Sequence, residues 1–176
     1  MGVRVSLLRG VNVGGAGKLP MPAFRELLSE MGLAGVTTYI QSGNAVFTSE
    51  RPAAELEAAI RAAIADRFGF APETFVLSAE EIAQALTDHP FQKAEPARVH
   101  VFFLRKTPEP DDASLRPLAL PGDAWHVGPN RLTLSTPDGI GRSRLARDLE
   151  KRLPQPMTAR NLRTLAALHA LARAAA

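Results

Sequence analysis

Val36-Thr37-Thr38-Tyr39-Ile40 and Ala45-Val46-Phe47-Thr48 are two β-rich runs separated only by Gln41-Ser42-Gly43-Asn44. Polar turn-formers between two runs of branched and aromatic residues read as a β-hairpin. Upstream, Val3 to Leu8 is a brief, valine-rich run bounded by glycine, which predicts a buried strand. Pro20 and Pro22 then mark a helix start, because a first-turn proline lacks an N–H that would have no partner anyway. Phe24, Leu27, Leu28 and Met31 follow at i, i+3, i+4 and i+7, one apolar face, and Gly32 and Gly35 close the helix. Downstream, Pro52 opens a helix with Leu56, Ile60, Ile64 and Phe68 every fourth residue, ended by Gly69. Thr74 to Leu77 is a short strand. Ser78 with Glu81 three residues on is a capping box that starts a helix carrying Ile82 and Leu86, stopped at His89-Pro90-Phe91.

The order is strand, helix, two strands, helix, strand, the ferredoxin-like βαββαβ order, plus one helix. It then repeats. Val99 to Leu104 is a strand, Asp112 to Leu118 a short helix, and Ala124 to Val127 with Arg131 to Ser135 a hairpin around Gly128-Pro129-Asn130. Arg142 to Leu153 is a helix, Met157 to Arg160 a short extended piece, and Asn161 caps a last helix with Leu162, Leu165 and Leu168. Tyr39 to Asn44 thus aligns loosely with Trp125 to Asn130, and Thr74 to Ser78 with Thr158 to Asn161. The expectation is an α+β protein of two tandem ferredoxin-like halves, antiparallel sheets with helices packed on them. The halves are residues 1–91, with the extra helix, and 99–176, joined by the polar linker 92–98.

At 176 residues, with 45% hydrophobic and 22% charged residues, the composition is that of a folded globular chain. There is no cysteine, which removes disulfides, thiolate metal ligands and cysteine nucleophiles together. Arg4 and Arg9 interrupt the first apolar run, which is neither a signal peptide nor a membrane span, so the expected location is the cytoplasm. The net charge is +3, with 17 arginines and 4 lysines. Residues 142 to 176 carry a net +6 and residues 51 to 98 a net −3, so the C-terminal end concentrates the positive charge.

Leu7-Leu8-Arg9-Gly10-Val11-Asn12-Val13-Gly14-Gly15 combines a strand end, an arginine, an asparagine and three glycines. Running on to Ala16-Gly17-Lys18-Leu19, it is not a P-loop. Asn12 stands where the first Walker glycine belongs, and Leu19 where magnesium needs a hydroxyl. No G-x-G-x-x-G spacing occurs either. What remains is an anion site of a less specific kind, with the N–H groups of Gly14 and Gly15 and charge from Arg9 or Lys18. The bland alternative is a tight loop with Arg9 paired to a neighbouring carboxylate. Ser42-Gly43-Asn44 presents a hydroxyl and an amide, though such a triplet is more often turn chemistry. The element order alone does not bring this hairpin and the first loop together, and the two can lie at opposite ends of a sheet. Gly139-Ile140-Gly141-Arg142-Ser143 precedes a helix whose Arg144, Arg147 and Lys151 form one basic stripe, a second anion-binding arrangement or simply a solvated face.

Leu7 to Gly15, Tyr39 to Asn44, Gly139 to Ser143 and Thr158-Ala159-Arg160-Asn161 together resemble, nearly end to end, the bacterial family catalogued as domain of unknown function 1697 (DUF1697). The resemblance implies an α+β fold with ferredoxin-like halves and carries no established activity. Where members commonly have an aromatic residue after the last Arg-Asn, this chain has Leu162.

Catalytic patterns are thin. His89, His100, His126 and His169 are scattered in sequence, with no H-E-x-x-H and no G-x-S-x-G, and no metal or cofactor is expected. The reading is a binding module for an anionic, phosphate-bearing ligand, nucleic acid or nucleotide, contacted by Arg9, Asn12, Gly14, Gly15, Lys18, Ser42, Asn44, Arg142, Arg160 and Asn161. RNA recognition of the usual stacking kind is weakened, since the first strand has no aromatic and Phe102 and Phe103 lie on opposite faces of theirs. One alternative is an enzyme acting on a small phosphorylated or anionic substrate positioned by Arg9, Asn12 and Asn44. Another is a structural or homodimerising protein.

Overall fold

The computed structural model describes residues 2–176, which fall into two compact units, residues 2–83 with 167–176, and residues 84–166. β1 (Gly2–Leu8), α1 (Met21–Glu30), β2 (Ala34–Tyr39), β3 (Asn44–Ser49), α2 (Ala53–Phe68) and β4 (Thr74–Ser78) form the first ferredoxin-like half, followed by α3 (Ala79–Thr87). β5 (Val99–Leu104), α4 (Asp112–Leu115), β6 (Ala124–Gly128), β7 (Arg131–Ser135), α5 (Arg144–Arg152) and β8 (Met157–Asn161) form the second, followed by α6 (Leu162–Ala174). The sheet orders are β2-β3-β1-β4 and β6-β7-β5-β8, with every pairing antiparallel. The protein is therefore α+β, with two ferredoxin-like halves in tandem.

Local chemistry sets the element ends. α1 starts directly after Pro20. It ends in a Schellman motif, with Gly32 at φ +80° donating to Ser29 O (3.0 Å) and Leu33 N–H to Leu28 O (3.2 Å). The capping box closes in both directions: Glu81 N–H donates to Ser78 Oγ (3.1 Å) and Ser78 N–H to Glu81 Oε2 (2.7 Å). Asn161 performs the same task for α6, accepting from Thr164 N–H at 2.8 Å. The expected helix over 112–118 divides into α4 and a tight 3₁₀ turn over Arg116–Leu118, since Pro117 has no N–H with which to continue an α-helix. Met157 to Asn161 is a full edge strand rather than a short extended piece.

Each sheet buries one face under its own helices. Residues paired across strands share a face, so Leu8, Ala45, Phe47 and Val76 line up and pack with Phe24 and Leu28 of α1 and Leu56, Ile60 and Ile64 of α2. In the second half Phe102, Leu104, Leu132, Leu134 and Met157 pack with Leu115, Leu145, Leu149 and Leu153.

The central strands end alike. Leu8 N–H donates to Gly43 O (2.9 Å) and Leu104 N–H to Asn130 O (2.8 Å), where Gly43 and Asn130 are both left-handed, at φ +77° and +50°. By register Asn44 faces Leu7 and Arg131 faces Phe103, so Gly43 rather than Asn44 is the counterpart of Asn130. Gly43 is also sterically required. A Cβ there would stand 2.6 Å from Val11 Cγ2 and 2.8 Å from Leu8 Cβ.

Two histidines are held neutral by their surroundings. His89 Nδ1 accepts from Phe91 N–H (3.1 Å), so Nε2 carries the proton and donates to Leu86 O (3.1 Å). Burial is the main cause lowering its pKa. His100 lies on β5 opposite Leu134 and Asn161, its Nδ1 buried with no partner, and burial lowers its pKa to about 4.

Gly43→Ala combines a left-handed alanine with overpacking and should destabilise by about 2–4 kcal/mol. Gly10→Ala, at φ +68° but with nothing within 4 Å, should lose about 1–2 kcal/mol. Chemical denaturation of both variants checks this, and equal losses would refute the steric account. For acid stability, unfolded His100 takes up a proton near pH 6.5 that the folded state refuses until about pH 4. Stability is then complete above pH 6.5 and falls as pH drops toward 4. His100→Leu should lessen that fall by about 3 kcal/mol, and an unchanged pH slope in the variant would rule His100 out as its source.

Candidate functional site

The antiparallel register decides where the first glycine loop lies. Because Leu7 pairs with Asn44, the C-terminal end of β1 and the start of β3 are neighbours, and the loop after β1 meets the β2–β3 turn. The two are thus at the same end of the sheet. One side chain fastens them: Asn12 Nδ2 donates to Leu19 O (2.8 Å) and Gln41 O (2.8 Å), and Asn12 Oδ1 accepts from Leu19 N–H (2.8 Å). Asn12 is itself left-handed at φ +55°, a conformation asparagine tolerates. Its amide acts as a clasp between loop and hairpin.

Beyond the clasp the loop is a miniature hairpin. Asn12 N–H donates to Gly17 O (2.9 Å), Ala16 N–H donates to Val13 O (3.2 Å), and Val13 bridges Ala16. Gly14 and Gly15 form the turn with φ +61° and +80°, the doubly left-handed conformation of a type I′ turn. Among the described residues neither glycine N–H has a protein partner, and both glycines are exposed. Lys18 is exposed too, with no counter-ion among the described residues. Arg9 is half-buried, and its main-chain N–H donates to Glu73 O (2.9 Å).

At the hairpin, Asn44 is fully buried and closes the turn, donating to Tyr39 O (3.0 Å) and Ser42 Oγ (2.8 Å). Ser42-Gly43-Asn44 thus serves as turn chemistry. Ile40 is a backbone outlier: a β-branched residue at φ +48°, with a side chain 49% exposed. Among the described residues the other large hydrophobic side chain this exposed is Val13, at 65%. A cleft of about 380 Å³ opens beside Ile40, lined by Met21, Pro22, Arg25, Thr38 and Gln41. Arg25 is exposed and has no ion-pair partner among the described residues. Sequence reading passed over Arg25 because it lies inside α1, where the i+3/i+4 pattern marks only the apolar face. Its polar position on that helix was the available signal.

The second-half residues are dispersed by comparison. Arg160 is buried in β8 and donates to Thr158 Oγ1 (3.1 Å) and Ala159 O (2.7 Å), with burial lowering its pKa to about 10. Asn161 spends its Oδ1 on the α6 cap. Arg142 is exposed at the end of a 3₁₀ turn over Ile140–Arg142. The N-terminus of α5 already has a carboxylate in attendance. Ser143 Oγ accepts from Ala146 N–H (3.1 Å) and donates to Asp123 Oδ2 (3.1 Å), which also accepts from Leu120 N–H (3.1 Å). Arg144 and Arg147 are exposed on α5, as the stripe requires, and Lys151 pairs with Asp148 (3.4 Å).

A polar group the sequence left scattered gathers beside β6 and β7. Arg131, 5% exposed, pairs with Asp88 (2.5 Å), and His89 feels the charges of Asp88, Arg131 and His126. Arg131 lies against Gly128, where an added Cβ would come within 3.0 Å of its Nε, and that Nε is buried without a partner.

Comparison with known proteins agrees with this architecture. The conserved bacterial protein SP0830 from Streptococcus pneumoniae superposes with a TM-score of 0.73 at 24% identity, over 97% of this chain and 98% of that one, a likeness of fold. Curated protein sequences give no match. No helix among the described residues is long and apolar enough to cross a membrane. The profile of the family described as "Protein of unknown function (DUF1697)" matches residues 1–132, which include the glycine loop, its clasp and the hairpin but not Gly139 to Ser143 or Thr158 to Asn161. Three-quarters of the chain thus carries that family's pattern, and the protein belongs to the DUF1697 family.

Proposed function

We propose that this protein is a binding module for an anionic, phosphate-bearing ligand, a nucleotide or nucleic acid, held where the glycine loop meets the β2–β3 hairpin. The observation that carries the reading is a set of donors with no acceptor among the described residues, on a fastened frame. These are the N–H groups of Gly14 and Gly15, the Lys18 ammonium and the Arg25 guanidinium. Consecutive left-handed glycine amides suit an anion, and arginine adds a planar fork for phosphate oxygens. In this reading Arg9 adds positive charge at the base of the loop, while Asn12, Ser42 and Asn44 keep it in shape. Arg142, Arg160 and Asn161 lie in the other half, where Arg142 and Arg160 add to the basic character of that end.

The strain at Ile40 supports the same place. A β-branched residue in the left-handed region costs about 1–3 kcal/mol and persists where the surroundings over-determine it. Here the next residue, Gln41, is held by Asn12. Exposed Ile40 and Val13 offer apolar surface beside the donors, suited to the organic part of such a ligand.

The test is thermal unfolding with inorganic pyrophosphate, ADP or oligothymidylate. Saturating ligand should raise the melting temperature by several degrees. Lys18→Glu combined with Arg25→Glu should erase the rise while leaving the unliganded melting temperature within about 2 °C, because both side chains are exposed. Oligothymidylate affinity should fall steeply between low and moderate salt as counterions compete. No stabilisation by any of the three, or undiminished stabilisation in the double variant, defeats the reading.

A further inference from the structure

We infer that the second half carries an anion site of its own, a cleft at the end of β5 that accepts a phosphomonoester with an apolar organic part. The cleft encloses about 510 Å³, within the range of small-molecule sites. Lys106 and Arg152 supply positive charge beside Arg105 and the carboxylate of Glu109, and Leu153, Pro154 and Pro156 form the apolar side.

The fold builds this place from both directions. β5 ends at Leu104, so Arg105 and Lys106 lead out of the sheet, while α5 ends at Arg152 and the next four residues carry the chain into β8. Lys106 N–H donates to Gln155 Oε1 (2.9 Å), which ties the two walls together. Gln155 N–H donates to Leu153 O (2.7 Å), closing a tight turn centred on Pro154 with Pro156 just beyond it, so the apolar wall is stiff. The Lys106 and Arg152 side chains are exposed and have no ion-pair partner among the described residues. A phosphate group answers the exposed Lys106 and Arg152 charges, and the Arg152 guanidinium matches two of its oxygens. An apolar body then covers leucine and proline, which a bare hydrated ion would leave in water.

The cleft is not a copy of the first-half site. By register Arg105 stands where Arg9 stands, yet no glycine occurs between Arg105 and Asp111, so here side chains take the place of loop amides. The inference is independent of the proposed function, and its test uses different residues.

The experiment is a titration of the full chain with phenyl phosphate, followed by NMR or calorimetry, with phenol as the uncharged control. The expected result is binding of phenyl phosphate but not phenol, and a loss of at least about tenfold in affinity in the variant combining Lys106→Glu with Arg152→Glu. In a Lys18→Glu, Arg25→Glu background, which removes the first-half donors, phenyl phosphate should still bind, and adding Lys106→Glu with Arg152→Glu should remove that binding. If the first double variant is poorly folded, Lys106→Ala with Arg152→Ala should show the same loss in smaller degree. No binding at millimolar phenyl phosphate, equal binding of phenol, or affinity that survives the cleft substitutions while falling in the first-half pair would overturn the inference.

Discussion

The Leu8 N–H to Gly43 O hydrogen bond ends the pairing of β1 with the β2–β3 hairpin, and the first half is organised by it. It brings the tip of one connection onto the end of the central strand. Val11 and Leu8 then close over Gly43 so tightly that no Cβ fits, and Asn12 clasps Gln41 from the other side. The Leu104 N–H to Asn130 O bond repeats this arrangement in the second half. Antiparallel pairing of a central strand on both sides therefore does more than hold a sheet. It gathers at one end of each half the loop after the first strand, the hairpin tip and the entry to the last strand.

At that end the two halves use different chemistry. The first uses the Asn12 and Asn44 amides to hold shape and leaves loop amides and two exposed cations with no partner among the described residues. The second has no glycine loop there and keeps its cations on side chains, around walls of leucine and proline. The separation of roles follows from energetics. A buried polar group without a partner costs about 1–3 kcal/mol, whereas an exposed donor stays hydrated until a ligand replaces water. Asn12 and Asn44 are satisfied because the loop and turn depend on them, while Lys18 and Arg25 can wait.

A sequence carries local information most directly, and local features were legible in this one. Proline starts, the Gly32 stop, the Ser78–Glu81 box, the Asn161 cap and the spacing of Leu56, Ile60 and Ile64 depend on residues within a turn or two of each other. They were enough for the element order and so for two ferredoxin-like halves. The register of the repeat was less legible. An asparagine occurs at both hairpin tips, yet pairing matches Asn130 with Gly43, because backbone handedness and hydrogen bonding, rather than side-chain identity, define equivalence there.

The sequence by itself determined the fold class, the glycine loop and the excess of positive charge toward the C-terminus, since each is a matter of composition and short-range pattern. Only the tertiary structure decided which polar residues are used internally and which are left exposed. Asn12, Asn44, Arg160 and Asn161 looked like contacts in one dimension, and each has hydrogen bonds within the fold. Arg25 and Arg152 looked like ordinary helix positions, and each lines a cleft. A side chain's partner is set by what long-range strand pairing brings beside it, and that proximity has no period or spacing by which it can be read along the chain.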